Sequence, residues 1–193
     1  MADKLNTQQR HHCMSRIRGK DTKPELSVRK GLHARGFRFR LQYRKLPGKP
    51  DIVLPKYGVA IMVNGCFWHG HGECRYATKP KSNIEFWETK IARNKHIDEV
   101  TAAHLEALGW MVIVVWECEL RGKEKAEARI QTLAEEIRSA GELKKQKEAR
   151  RRLGRAAAKR ERELLLERQA ALEKELKRMF PIPQRVKIAS KEE

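Results

Sequence analysis

The chain has 193 residues, which suits one domain with an extension. Its formal net charge of +18 indicates a polyanionic partner, and nucleic acid is the usual one. No apolar run reaches the length of a membrane span, and the first residues are not followed by a signal-peptide core, so we expect no membrane partner and a cytoplasmic location. In a reducing compartment the four cysteines indicate metal chemistry rather than disulfides.

The first two predicted elements are helices. Residues 8–18 are polar, basic and compatible with a helix, and they form either a solvated amphipathic helix or a basic arm, at about residues 7–20, that lies on DNA. A second helix is predicted from the capping-box spacing of Thr22 and Glu25, with Pro24 in its first turn. This spacing alone indicates a helix-capping role for Glu25 more strongly than a role as a catalytic acid.

Four short apolar segments predict strands, at residues 37–41, 52–54, 59–63 and 110–116. The last segment is the most continuous apolar run in the chain and is predicted to be a central strand. Asp51 stands immediately before the second strand. A buried acid there is costly unless it binds a metal or accepts good hydrogen bonds, although an aspartate after proline also forms turns. Asp51 is therefore a candidate site residue.

The loop that leaves the third strand holds the densest group of reactive side chains. It carries two cysteines and two histidines between glycines, which are typical of irregular backbone. Cys66, His71 and Cys74 offer three zinc ligands, and Cys118, from a distant strand, is a candidate fourth. His69 is left over and is a candidate general base. The alternative is that these side chains are ordinary buried structural residues.

Two further helices complete the predicted fold. Ser82 and Glu85 have capping-box spacing and open a long helix that ends at Gly109, and another helix spans about residues 123–139. The order α-α-β-β-β-α-β-α predicts an α/β or α+β fold, with a mixed central sheet flanked by helices.

The composition changes after residue 140 to mostly Lys, Arg, Glu, Ala and Leu. We therefore expect a domain at residues 1–140 and a charged tail at 141–193, helical to about residue 178 and disordered beyond Pro181. The tail is either a solvated helix or, through the arginines at 150–152, a source of non-specific DNA affinity.

Several motifs resemble the very short patch repair DNA mismatch endonucleases over about residues 7–137. They are MSRIRGKDTKPE at 14–25, LPGKPD at 46–51, GCFWH at 65–69, FW at 86–87 and VWEC at 115–118. The resemblance implies the fold of type II restriction endonucleases. It also implies an enzyme that nicks one strand of duplex DNA 5′ to the thymine of a T·G mismatch, the lesion left when 5-methylcytosine deaminates. Mismatch-repair proteins are possible further partners by the same resemblance.

The resemblance also assigns roles to the candidate site residues. Asp51 would ligate a catalytic magnesium ion, helped by the backbone carbonyl of Val63. His69 would be the general base on the attacking water, and Glu25 would support the site. The structural zinc ion would be held by four side chains, those of Cys66, His71, Cys74 and Cys118.

Recognition of the mismatch is assigned in the same way. Phe67, Trp68 and Trp87 would wedge into the base stack, with Met14 approaching from the other groove. Lys90 and Asn94 would touch the mismatched pair. Arg16 and Arg18 belong to the basic arm that would contact the DNA backbone.

The chain departs from related patterns at a few positions. Ordinary nucleases of this fold carry an acid-x-Lys motif on the strand after the Pro-Asp strand, whereas this chain has Met62, Val63 and Asn64 there. His69 is the natural substitute for that lysine. Some relatives have a histidine at the place of Asn64, and an amide can form hydrogen bonds but cannot titrate. Cys13 replaces the more usual asparagine, with no obvious chemical consequence.

Two other functions are compatible with parts of this pattern. A non-catalytic zinc module that binds distorted DNA would need the basic charge, the zinc ligands and the aromatic side chains, but not Asp51 or His69. A restriction-type enzyme would make double-strand breaks in unmodified DNA. Magnesium-dependent nicking of T·G and matched duplexes separates all three.

Overall fold

The structure is a computed structural model that describes residues 8, 9, 12, 15, 16, 19–78, 80 and 82–179. Cys13, Met14 and Arg18 lie outside these residues, as does the predicted end of the tail beyond Pro181. The described residues before Gly19 are exposed, and Arg16 lies in a turn.

The described part of the chain contains helices and strands in the order α-β-β-β-α-β-α. The helices are α1 (Lys23–Ala34), α2 (Ile84–Ala107) and α3 (Lys123–Met179), with a short 3-10 helix at Glu117–Leu120. The strands are β1 (Arg40–Leu41), β2 (Ile52–Leu54), β3 (Val59–Asn64) and β4 (Met111–Trp116). None of the helices in the described residues is long and apolar enough to cross a membrane.

The four strands form one mixed sheet in the order β1-β2-β3-β4. β1 pairs with β2 and β2 with β3 in antiparallel fashion, and the second pairing aligns Ile52 with Ile61. β3 and β4 are parallel and aligned from Val59 opposite Met111 to Asn64 opposite Trp116. The prediction of a mixed sheet in an α/β fold is confirmed. The likeness to the restriction-endonuclease fold stays a prediction.

Helices cover both faces of the sheet. Alternate strand residues point to opposite sides, so each face presents apolar side chains against which a helix can pack. One core cluster joins the strand side chains of one face to α1 and to the first part of α3, through Val28, Leu32, Leu133 and Ile137. The other face packs Val53 and Ala60 against Leu105 of α2.

The chain divides into two compact units, residues 1–144 and residues 145–193. The first unit contains the sheet, α1, α2 and the beginning of α3. In the second unit the structure describes residues 145–179, which are helical.

α1 begins as its sequence predicts. Thr22 is the N-cap, and Thr22 and Glu25 form the complete capping box. Pro24 is accepted in the first turn because the amide that it lacks would have had no helical partner.

Three local predictions were wrong. The segment at 110–116 is not a central strand. β4 is an edge strand of the described sheet, and its residues Met111 and Val114 are exposed. Ser82 does not cap α2, whose N-cap is Asn83 in the left-handed conformation, without a side-chain cap hydrogen bond. Asparagine is among the few residues that tolerate this backbone, which explains why the helix begins one residue late.

The third error concerns the helix predicted at about residues 123–139, which was expected to end before Gly141. α3 continues through this position. A Cβ atom at Gly141 would lie 2.6 Å from the Tyr57 ring, so the glycine allows an aromatic side chain to pack directly on the helix backbone. Its role is close packing and not helix termination.

Candidate active site and metal centre

Three chain segments meet at one edge of the sheet, and the strand directions explain why. Since β3 and β4 are parallel, their carboxyl ends lie side by side, and Cys66 and Cys118 follow those ends. Since β2 runs antiparallel to β3, its first residue lies at the same edge, immediately after Asp51. Residues far apart in sequence are thereby brought to one place.

The four predicted zinc ligands lie together. The ligand atoms of Cys66, His71, Cys74 and Cys118 are all within 4.8 Å of one another. His71 Nδ1 lies 3.5 Å from Cys118 Sγ, and its ring stacks on Trp116 with centroids 4.1 Å apart. Three sulfur atoms and one imidazole are a donor set that suits tetrahedral zinc. The cluster could therefore hold a metal ion.

The surroundings of the three thiols differ. Burial raises the pKa of the Cys66 thiol to about 12 and also raises the pKa of Cys118. The pKa of Cys74 is lowered, chiefly by a hydrogen bond from the backbone amide of Tyr76. Because metal ions bind thiolates, metal binding must release protons from this cluster.

Gly70 allows the loop between Cys66 and Cys74 to pack tightly on α2. A Cβ atom at this position would lie 2.5 Å from Lys95 and 2.6 Å from Ile91, and the backbone has a φ of +56°. Both the conformation and the contact favour glycine. α2 therefore supports the loop from one side.

Asp51 lies in a cavity of about 730 Å³ that is also lined by Glu25, Val63 and His69. Its Oδ2 atom accepts a hydrogen bond of 2.8 Å from the backbone amide of Val63. Burial raises the pKa of the Asp51 carboxyl, and the charge of Glu25 raises it further, while the Val63 hydrogen bond and Arg29 act in the opposite direction. A cation in this cavity would offset the cost of burying the Asp51 charge.

Glu25 is buried and held by its own helix. Its carboxylate accepts hydrogen bonds from the Thr22 hydroxyl at 2.8 Å and from Arg29 Nη2 at 2.5 Å. Arg29 also donates to Asp21. The capping role predicted from spacing is thus observed, and the position of Glu25 on the cavity wall is compatible with the supporting role that the resemblance implies.

His69 has a partner that sequence reasoning missed. Its Nδ1 atom lies 2.6 Å from Oδ2 of Asp98, and the two side chains are only 28% and 31% exposed. A carboxylate at Nδ1 selects the tautomer with its proton on that nitrogen, which leaves the lone pair on Nε2. In its neutral form the imidazole therefore carries its lone pair on Nε2, where it can accept a proton.

The sequence of α2 contains a spacing that could have identified Asp98 as a residue facing the loop. Asn94 and Asp98 are four residues apart and thus lie on one face of the helix. The Asn94 amide donates a 2.8 Å hydrogen bond to the carbonyl of Trp68, while Asp98 contacts the next residue of the loop, His69. One helix face thus holds two consecutive loop residues.

The predicted wedge residues form an aromatic cluster beside the cavity. Phe67 lies with its ring centroid 5.1 Å from Trp68 and 5.2 Å from Trp87, in edge-on geometry. The cluster extends to Phe86, which was not predicted and whose side chain is 57% exposed. Lys90 borders both the cavity of Asp51 and a second cavity along α2 that includes Phe86.

The chain is similar in sequence to several known proteins. A family model described as DNA mismatch endonuclease Vsr matches residues 2–75. The type II nicking enzyme V.XorIIP of Xanthomonas oryzae pv. oryzae is 46% identical over 133 residues, which are 69% of this chain and 97% of the relative. V.NmeAIP of Neisseria meningitidis, another type II nicking enzyme, is 45% identical over 72% of this chain and 99% of its own length. The DNA mismatch endonuclease Vsr of Escherichia coli is 41% identical over 65% of this chain and 80% of its own length.

The similarity, which extends over nearly the whole length of the two nicking enzymes, defines the class of protein: a DNA endonuclease, which hydrolyses phosphodiester bonds. DNA is accordingly its partner. Within that class the chain belongs to the Vsr family, the DNA mismatch endonucleases of very short patch repair.

Proposed function

We propose that this protein nicks one strand of duplex DNA 5′ to the thymine of a T·G mismatch and thereby initiates very short patch repair. The observation that carries the proposal is the shared cavity of Asp51 and the His69–Asp98 pair, beside an aromatic cluster. A module that only binds distorted DNA has no use for an acid-oriented imidazole that shares a cavity with the partly buried carboxylate of Asp51. We assign the activity to residues 1–140, with a fold like that of type II restriction endonucleases.

In this mechanism His69 is the general base. Asp98 holds the Nδ1 proton, so Nε2 accepts a proton from the water that attacks the phosphorus atom. Asp98 also stabilises the imidazolium that forms. The phosphodiester bond then breaks, and the leaving oxygen, which departs on the side opposite the attacking water, takes a proton from solvent.

The chemistry of the cavity fits a magnesium ion. Magnesium prefers carboxylate, carbonyl and water oxygens, and burial of Asp51 favours a cation beside it. Asp51 would hold the ion with the carbonyl of Val63. When bound, magnesium would supply positive charge that stabilises the developing charge on the phosphate. Glu25 itself lines the cavity and supports this arrangement through its hydrogen bonds to Arg29 and to the start of α1.

The cysteine–histidine cluster fits a structural zinc ion. Four protein ligands complete a tetrahedron and leave no open position for water, which is typical of a structural site. The role of Cys66, His71, Cys74 and Cys118 is to tie the loop that carries His69 to the end of β4.

We assign mismatch recognition to the aromatic cluster. Phe67, Trp68 and Trp87 would enter the base stack, where unstacking costs a few kcal/mol per step and least at a mismatch. Lys90 and Asn94 would contact the mismatched pair, and Met14 would approach it from the other groove. Arg16 and Arg18 of the basic arm would hold the DNA backbone. Mismatch-repair proteins are possible further partners.

The test is a nicking assay on labelled duplexes that differ only in one T·G or T·A pair, with and without magnesium. The proposal expects one nick, 5′ to the mismatched thymine, only with magnesium. His69→Ala should remove nicking but keep binding, and His96→Ala, an exposed histidine of the same region, is the matched control. Binding without nicking would favour a non-catalytic module. Double-strand breaks in the matched duplex would favour a restriction-type enzyme.

A further inference from the structure

Charge is distributed unevenly along the part of α3 that belongs to the second unit. Residues 145–162 contain nine lysines and arginines against two glutamates. Residues 163–179 contain four of each sign. The two halves of one helix therefore differ in charge by seven, and the proposed nuclease chemistry involves neither of them.

The cations of the first half are also arranged on one side of the helix. At about 100° per residue, spacings of four, four, four and three keep a set of side chains within about one third of the circumference. We call this set the basic strip: Lys147, Arg151, Arg155, Lys159 and Arg162. It extends over about 22 Å at 1.5 Å per residue. Glu148 is the acid that shares this side.

The helix itself gains nothing from this arrangement. The five side chains are exposed, and like charges four residues apart disfavour an isolated helix. Lys159 lies 3.8 Å from Glu163, but the two side chains are 79% and 57% exposed, and such a pair contributes little. A row of phosphates would remove the repulsion and is the complementary surface for a straight row of cations.

We propose that the basic strip is a second DNA-contacting surface, which binds the phosphate backbone of matched and mismatched duplexes alike. The proposal rests on the proposed function only in taking DNA as the substrate. It assigns the strip to affinity and not to recognition of the mismatch, because phosphate contacts carry no base information.

The test compares two triple variants of the full chain. One removes part of the strip: Arg151→Gln, Arg155→Gln and Lys159→Gln. The other removes the same number and kinds of charge from the balanced half of the same helix: Arg168→Gln, Lys174→Gln and Arg178→Gln. Binding to a T·G duplex and to its T·A counterpart is measured over a range of salt concentrations, and circular dichroism verifies equal helix content.

The strip variant should bind both duplexes about tenfold more weakly at low salt, with a salt slope reduced by about 0.9 for each lost phosphate contact. The control variant should change much less. The ratio of T·G to T·A affinity and the nicking rate at saturating enzyme should match those of the parent protein.

Three results would overturn the proposal. Equal losses in both variants would mean that only net charge matters, and no loss in either would mean that the strip does not touch DNA. A change in the sedimenting mass of the strip variant, with unchanged affinity, would assign the strip to contacts between copies of the chain. A parent protein that binds DNA but fails to nick at T·G would refute the proposed function alone, because the binding comparison stays readable.

Discussion

Asp98→Asn is the most informative single change, since it alters the partner of His69 and keeps the size of the side chain. The amide can donate to Nδ1 as well as accept from it, so it no longer selects the tautomer whose Nε2 is free. The variant should fold normally, because Asp98 is only partly buried. Mismatch binding should also persist.

The expected size of the effect follows from the contact. A separation of 2.6 Å is that of a charge-assisted hydrogen bond, and bonds of this type contribute about 1.5–3 kcal/mol. The imidazolium form of His69 is the state that benefits, and this form develops during proton transfer. If the whole contribution is lost from the transition state, nicking slows by about 10- to 150-fold.

The assay is single-turnover nicking of a T·G duplex at saturating enzyme, which reports the rate of the bound complex. Glu99→Gln is the matched control, since Glu99 is the next residue of α2, is exposed, and loses the same charge. Removing one acid from a DNA-binding surface raises DNA affinity in general, and the control measures that effect separately.

Combining the change with His69→Ala gives the decisive comparison. His69→Ala alone should cut the rate by about two to four orders of magnitude. Because Asp98 acts through His69, adding Asp98→Asn to that variant should have no further effect. A slowing by Asp98→Asn no greater than that of Glu99→Gln, or a full additional loss in the double variant, would refute the role assigned to Asp98.

Three further predictions concern the metal ligands, the wedge and the partly buried Asp51. Cys118→Ser should lower zinc content and melting temperature together, and a stable variant with full zinc would exclude Cys118 as a ligand. Trp68→Ala should lose T·G selectivity as well as affinity, and equal losses of binding to T·G and T·A duplexes would exclude a role for Trp68 in recognition. Arg16→Ala should weaken binding to both duplexes alike and reduce the salt dependence of binding. Burial raises the pKa of Asp51 in the folded state, whereas the unfolded chain keeps the ordinary pKa of about 4. The free energy of unfolding should therefore decrease as the pH rises from about 4 to the folded-state pKa of Asp51, and this decrease should be complete above that pKa. Asp51→Asn should therefore abolish nicking yet raise the melting temperature at pH 7 without added magnesium. It should also remove this part of the pH dependence of stability. An equal or lower melting temperature would contradict the inference that the Asp51 charge destabilises the folded protein.

The sequence was most informative where chemistry is local. The loop from Cys66 to Cys74 shows its ligands by composition, and the capping box of Thr22 and Glu25 needs only a spacing of three residues. Cys118 was a reasonable fourth ligand because it follows a predicted strand. Its actual position depends on the parallel pairing of β3 with β4, which no local pattern encodes.

The missed features depend on tertiary packing. A segment as apolar as β4 is expected at the centre of a sheet. However, β4 is an edge strand of the described sheet and buries only alternate residues. The apolar residues of α2 keep helical spacing, yet Ile97 and Val100 are exposed and Ile91 and Leu105 are buried. Periodicity identifies a helix but not which neighbours will cover each side. For the same reason Asp98 looked like one of many surface acids.

The loop between Cys66 and Cys74 connects the two proposed metal sites, and its anchoring has a consequence for function. With the proposed zinc ion bound, the cluster would fix the loop at Cys66, His71 and Cys74, and its fourth member, Cys118, lies beyond the end of β4. The segment 67–69 lies between these fixed points and carries two of the three predicted wedge aromatics together with the proposed base. α2 holds the same segment from the other side through Asn94 and Asp98. Loss of the cluster should therefore impair catalysis through the position of His69, although no cluster ligand takes part in the proposed chemistry.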